Sequence, residues 1–162
     1  ANTSPVTDTA EAAERVFDLG VAAGVVDVHP VGAVTKGLAG EELAELGLMH
    51  RSRAGVRVFS DDGRCVADAR VMRRALEYVK AFDGVIAQHA QEPRLTEDAQ
   101  MNEGAWSAEL GLKGWPAVAE EAIIARDVLG FKLKIVTGYP NSPDMKIAME
   151  RRELDGTFAT SW

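Results

Sequence analysis

Two residues with metal-binding side chains each follow a short apolar stretch of this sequence. Val56 to Ser60 leads to Asp62, Val85 to Ala87 leads to His89, and an amphipathic segment separates the two stretches. This order predicts a strand, a crossover helix and a second, parallel strand. Because the carboxyl ends of neighbouring parallel strands share one edge of a sheet, we expect Asp62 and His89 to emerge at the same edge.

A carboxylate and an imidazole at one sheet edge suit a divalent metal such as zinc. An alternative interpretation is equally simple. Asp61-Asp62-Gly63 has the composition of a turn, and His89 can be a histidine that only makes hydrogen bonds. The spacing alone favours this alternative.

The amino-acid sequence of this region closely resembles that of the dihydroorotases, which are metal-dependent cyclic amidohydrolases of pyrimidine biosynthesis with a TIM-barrel fold. The similarity runs from Ala1 to about Leu129. It is carried by Phe59-Ser60-Asp61-Asp62-Gly63, Met72 to Tyr78, Gln88-His89-Ala90-Gln91-Glu92, Ala1 to Pro5, Pro30 to Thr35 and the stretch from Glu92 to Gly104. The resemblance implies that Asp62 and His89 correspond to metal ligands. It also implies that Asn2 corresponds to a residue that holds the carboxylate of the substrate.

The chain matches only the second to fifth βα units of the eight-unit barrel. A complete barrel needs about 250 residues, and the chain has 162. The family's opening pair of histidines would precede Ala1, so the first residue marks either a processed or an artificial start. A later histidine ligand and the aspartate base have no counterpart here.

A catalytic zinc takes about three protein ligands and an open position. Only Asp62 and His89 are recognisable, and Asp61, Glu92 and His29 could join them only by accident. We therefore expect no catalytic residues and at most a weakly held zinc. The alternative function is a zinc-dependent cyclic amide hydrolase.

Residues 131–162 do not resemble a dihydroorotase. They are instead similar to a piece of the solute-binding proteins of tripartite tricarboxylate transporters. The similarity is carried by Thr137-Gly138-Tyr139, the segment from Ala148 to Glu153 and the Asp155-Gly156 turn, with Arg152 where that family usually has Gly. The sequence thus reads as a chimera in a single domain, residues 1–162, with the junction near Leu129 to Lys134. A third functional class is a weak metal- or anion-binding module, with the anion site near Thr137-Gly138 or at Ser142, where a helix N-terminus favours anions.

The predicted fold class is α/β: an open, mainly parallel sheet of five or six strands with covering helices, built from part of a TIM barrel and a βαβ unit. Asp8 and Glu11 have capping-box spacing, which predicts a helix from Thr9 to Ala23 ended by Gly24. Val25 to Val28 is strand-like, and 91–114 is a long polar stretch of the kind that is functional or loosely ordered when it follows a strand. Further helices are expected over Glu41 to Met49, Asp68 to Phe82 and Ala117 to Leu129. The last of these is expected to bury Val118, Ile124 and Val128. Thr157 to Trp162 is a candidate last strand.

The remaining features indicate cellular context. A net charge of −7 argues against a nucleic-acid partner, and neither a signal peptide nor a membrane-length apolar run is present. The single cysteine, Cys65, fits a cytoplasmic protein and is expected to be structural or incidental. His29 is interpreted as structural or surface-exposed and His50 as solvated. Unpaired sheet edges predict a homodimer, unless the last strand folds back over an edge.

Overall fold

A computed structural model describes residues 1–129 of the chain. The chain divides into two compact units, Ala1–Glu92 and Pro93–Trp162. The helices are α1 (Ala10–Ala23), α2 (Leu46–Arg51), α3 (Ala69–Val79), α4 (Pro93–Thr96), α5 (Ala105–Leu110) and α6 (Val118–Leu129), with 3₁₀ turns at Lys36–Leu38 and Lys80–Phe82. The strands are β1 (Val58–Phe59), β2 (Val85–Ile86), β3 (Met101–Asn102) and β4 (Gly114–Trp115).

The first unit is built on the predicted strand–helix–strand. β1 and β2 pair in parallel, with Val58 opposite Val85 and Phe59 opposite Ile86. On the other side of β1, Gly32 forms a parallel bridge with Phe59. Next to Gly32, the Ala33 N–H donates to the Thr7 carbonyl over 2.7 Å. Gly32, β1 and β2 therefore pair side by side in parallel, as the sequence predicted for this part of the chain.

The crossover helix α3 forms as its apolar spacing predicts. Asp68 caps its N-terminus by accepting from the N–H groups of Arg70 and Val71. Its buried residues are Met72, Ala75 and Val79. This face, which recurs at intervals of three and four residues, packs the helix against the core.

Phe59 of β1 is at the centre of the first unit's core and is fully buried. Its ring meets Phe82 edge-on at 6.1 Å between centroids. Leu46 and Met49 of α2 are also fully buried. The other large buried side chains are Val34, Val56, Val66 and Met72.

Helix α1 has a different cap from the predicted one. The side chain of Thr9, not that of Asp8, accepts from the Ala12 N–H at 3.2 Å. Asp8 instead accepts from the Gly37 N–H at 2.8 Å. Both residue types are good caps, and a contact distant in sequence decides between them. Gly24 ends the helix in the left-handed conformation, as predicted.

The expected strand from Val25 to Val28 is wrong. That segment contains no strand, and Val25 and Val26 are 82% and 69% exposed. Apolar composition alone does not make a strand, because a strand needs a partner for its backbone groups.

The expected helix from Glu41 begins only at Leu46. The preceding backbone is drawn into pairing with the loop after Gly32. Thr35 forms an antiparallel bridge with Leu43, and the Ala44 N–H donates to the Val34 carbonyl at 2.9 Å. These bonds hold the segment extended, so the helix starts five residues late.

In the second unit, the polar stretch over 91–114 forms regular secondary structure, so the expectation of a loosely ordered segment is wrong. This stretch contains α4, β3, α5 and β4, and β3 pairs in parallel with β4. Helix α6 buries Ala119, Ala122 and Ile123, whereas Ile124 and Val128 are 45% and 75% exposed. The predicted apolar face of α6 is therefore wrong.

The parallel α/β character is confirmed, but not the predicted sheet size. Residues 1–129 contain two sheets of two parallel strands each, where we expected one sheet of five or six strands. The predicted junction beyond Leu129 and the candidate last strand lie outside the described residues. No helix in the described part of the chain combines the length and hydrophobicity needed to cross a membrane.

Candidate functional site

Asp62 lies in a turn just beyond the end of β1. The Arg64 N–H donates to the Asp61 carbonyl at 3.1 Å and closes the turn. Asp62 has a left-handed backbone with φ of 56°, a conformation that aspartate tolerates better than most residues. Its N–H donates to the Ser60 hydroxyl at 2.9 Å. The turn thereby presents an exposed carboxylate at the carboxyl end of the strand.

Asn2 is brought directly to this carboxylate. Its side-chain amide donates a hydrogen bond to Oδ2 of Asp62, although the two residues are 60 positions apart. Two of the three residues singled out by sequence reasoning are thus in contact.

His89 follows β2 at the same offset. Phe59 pairs with Ile86, Asp62 is three residues beyond Phe59, and His89 is three residues beyond Ile86. Both side chains are exposed beyond the same ends of the paired strands. Nε2 of His89 lies 2.7 Å from Oε1 of Gln91.

The turn around Asp62 is anchored by Asp61, a role that sequence reasoning missed. Asp61 is only 2% exposed. Its Oδ1 accepts from the N–H groups of Val34 and Thr35 at 2.8 and 3.0 Å, and its Oδ2 accepts from the Thr35 hydroxyl. Alternation from the buried Phe59 would have placed Asp61 on the inner face. Asp61 is therefore a buried acceptor and not a spare metal ligand.

Gln88, the residue before His89, has a similar role that was also missed. Its amide accepts from the Val66 N–H at 3.2 Å and donates to the Val66 carbonyl at 3.1 Å. It also donates to Sγ of the half-buried Cys65 at 3.7 Å. Gln88 thus ties the chain that follows the Asp62 turn to the end of β2.

The other two histidines differ from each other. His29 is exposed, as one of its two interpretations predicted. His50 is not simply solvated: its ring stacks on Phe82 at 4.5 Å between centroids, and Nδ1 lies 3.0 Å from the Val56 carbonyl oxygen. Its place at the end of α2 makes it part of the packing around Phe82.

The donor types at this edge suit zinc, which binds carboxylate oxygen and imidazole nitrogen in proteins. Within residues 1–129, however, no group of three or more His, Cys, Asp and Glu side chains is arranged to hold a metal ion. Asp62 and His89 fit zinc in kind but supply fewer ligands than the roughly three of a catalytic site. Asp62 Oδ2 is further occupied by the Asn2 amide.

Comparison with known proteins identifies the family. A family model described as dihydro-orotase-like matches residues 1–136, and the chain belongs to this family. The dihydroorotase of Leifsonia xyli subsp. xyli is 75% identical over 129 residues, which are 80% of this chain and 30% of that protein. The dihydroorotases of Streptomyces coelicolor and Mycobacterium tuberculosis are 73% and 57% identical over the same length and the same shares.

The chain therefore spans about 30% of the length of the curated relatives it matches. The resemblance inferred from the sequence motifs is confirmed for residues 1–129. The likeness of residues 131–162 to solute-binding proteins stays a prediction.

Proposed function

We propose that residues 1–129 serve in zinc-dependent hydrolysis of a cyclic amide, the dihydroorotase reaction of pyrimidine biosynthesis. Asp62 and His89 are the proposed metal ligands, and Asn2 is the proposed contact for the substrate's carboxylate. The observation that carries this proposal is the hydrogen bond from Asn2 to Asp62 at the strand ends. High identity to three dihydroorotases over 129 residues supports it.

The side chains have capacity for these roles. An ionised carboxylate has about four lone-pair positions, so Asp62 can keep its bond to Asn2 and still ligate a metal. The Asn2 amide has a second N–H, which is suited to donate to a substrate carboxylate. When bound, zinc would lower the pKa of a water molecule and polarise the amide carbonyl.

For the 162-residue chain by itself we propose weak zinc binding and no turnover. Asp62 and His89 are two ligands, whereas a catalytic zinc uses about three. The chimeric organisation predicted from the sequence, with a solute-binding-like unit at 131–162 in one domain, belongs to the same proposal. An anion site at Ser142 lies outside the described residues.

A segment exchange tests the proposed function. Residues 1–129 replace the matching segment of the Streptomyces coelicolor dihydroorotase, to which they are 73% identical. We expect the hybrid to hydrolyse dihydroorotate. Asp62→Ala and His89→Ala in the hybrid should each abolish turnover, because each removes a proposed ligand. Asn2→Ala should raise KM more than it lowers kcat, because it removes a substrate contact.

The matched control in the hybrid is His29→Ala. His29 is an exposed histidine with no part in the proposed site, so its removal should leave kcat and KM unchanged. A folded hybrid that keeps full activity after Asp62→Ala or His89→Ala would contradict the proposed roles.

A further inference from the structure

The segment Ala33 to Thr35 lies between the two loops that carry Asn2 and Asp62. On one side, the Ala33 N–H donates to the Thr7 carbonyl at 2.7 Å. Thr7 in turn donates its N–H to the Ala1 carbonyl at 3.0 Å. This side therefore fixes the loop that carries Asn2.

The other side of the same segment fixes the turn that carries Asp62. The N–H groups of Val34 and Thr35 both donate to Oδ1 of Asp61, at 2.8 and 3.0 Å. The Thr35 hydroxyl donates to Oδ2 of Asp61 and accepts from the Gly40 N–H at 2.9 Å. Successive residues of one segment thus hold both loops.

We propose that Asp61 is a positioning residue for the Asn2–Asp62 pair. Its carboxylate locks the Asp62 turn onto Val34 and Thr35 and so sets the separation between Asp62 and the Asn2 loop. This inference rests on the proposed function of Asn2 and Asp62, but the positioning itself is a property of the folded chain.

Neighbouring aspartates therefore have separate tasks. Asp61 is almost wholly buried, and its two oxygens accept three hydrogen bonds from within the protein. Asp62 is exposed and accepts from the Asn2 amide. Asp61 therefore fixes the turn, and Asp62 presents the exposed carboxylate that is the proposed metal ligand.

The side-chain amide resonances of Asn2 in proton–nitrogen NMR spectra measure this positioning directly. Asp62→Ala gives the reference spectrum for a lost hydrogen bond. Asp61→Asn replaces the acceptor of the Thr35 hydroxyl with a donor, and Thr35→Val removes that hydroxyl. We expect both variants to move the Asn2 resonances toward the Asp62→Ala position. Thr35→Ser restores the hydroxyl and should restore the parent position.

Val79→Ala is the control for general loss of stability, because Val79 is buried in α3 and touches none of the bonds above. It should leave the Asn2 resonances where they are in the parent chain. Unchanged Asn2 resonances in Asp61→Asn and Thr35→Val would overturn the positioning role, and so would an equal displacement in Val79→Ala.

Zinc titration of the same samples tests the proposed metal site separately. If the amide resonances respond as expected but zinc affects neither Asp62 nor His89, the metal proposal fails and the positioning role stands. If zinc binds through Asp62 and His89 in Asp61→Asn and Thr35→Val while their Asn2 amide resonances are unaltered, the positioning role fails alone.

Discussion

Substitution of Asp61 by alanine should destabilise the first unit far more than its position in a polar turn suggests. The change leaves the N–H groups of Val34 and Thr35 without their acceptor. Both residues are at most 1% exposed, so water cannot readily replace the carboxylate. A buried donor left unpaired costs about 1–3 kcal/mol. Two such donors, with some relaxation, give an expected loss of about 3 kcal/mol in the free energy of unfolding.

The measurement is urea unfolding followed by far-ultraviolet circular dichroism. The matched control is Asp62→Ala, the same substitution one residue later. Asp62 is exposed, so Asp62→Ala loses one exposed hydrogen bond from Asn2 and the tolerance of aspartate for the left-handed backbone, and the combined loss should be about 1 kcal/mol. Equal destabilisation by the two substitutions, or a loss under about 1 kcal/mol for Asp61→Ala, would refute the assignment of Asp61 as the buried anchor.

Three further outcomes are expected. Thr9→Ala should lower the free energy of unfolding by about 1 kcal/mol because Thr9 caps α1, and no loss in urea unfolding would contradict that cap. Gly32→Ala should cost about 1–3 kcal/mol by overpacking, since a Cβ there would lie 2.9 Å from Met49 Sδ and from Phe59 Cδ1; an unchanged melting temperature would refute the close approach. We propose that the chain forms a homodimer through exposed sheet edges, so light scattering after size exclusion should give twice the chain mass, and a monomer would exclude it.

Local sequence patterns predicted the central strand–helix–strand well. The apolar spacing of α3 and the short apolar stretches on either side of it are contained within about one βαβ length of chain. Parallel pairing of β1 with β2 followed from the crossover connection. The hydrogen bond from Asn2 to Asp62 was not predicted, because no local pattern links residues 60 positions apart; family resemblance implied only that Asn2 contacts the substrate and that Asp62 binds a metal.

Long-range backbone contacts explain the main errors. The helix expected from Glu41 was shortened by pairing of Leu43 with Thr35. The structural role of Asp61 was missed because the N–H groups that it accepts from are 26 or 27 positions away, and a local sequence pattern does not show such contacts. The alternation of side chains from the buried Phe59 indicates that Asp61 faces the core, but the Asp-Asp-Gly composition favoured the interpretation of this segment as an exposed turn.

Side-chain environment was harder to predict than backbone. His50 lies in a polar stretch, which suggested solvation, yet it stacks on Phe82. Ile124 and Val128 looked like core residues of α6, but the buried positions are Ala119, Ala122 and Ile123. Several helical faces of α6 contain apolar residues, so composition did not single out the buried one.

The most direct test of the shared role of Asp62 and His89 is a zinc titration of the chain followed by the histidine ring resonances in NMR spectra. The expected result is a saturable shift of His89 alone, with His29 unaffected, and a clearly weaker affinity in Asp62→Ala. Equal responses of His89 and His29, or an affinity that Asp62→Ala leaves unchanged, would contradict a common metal site at the ends of β1 and β2.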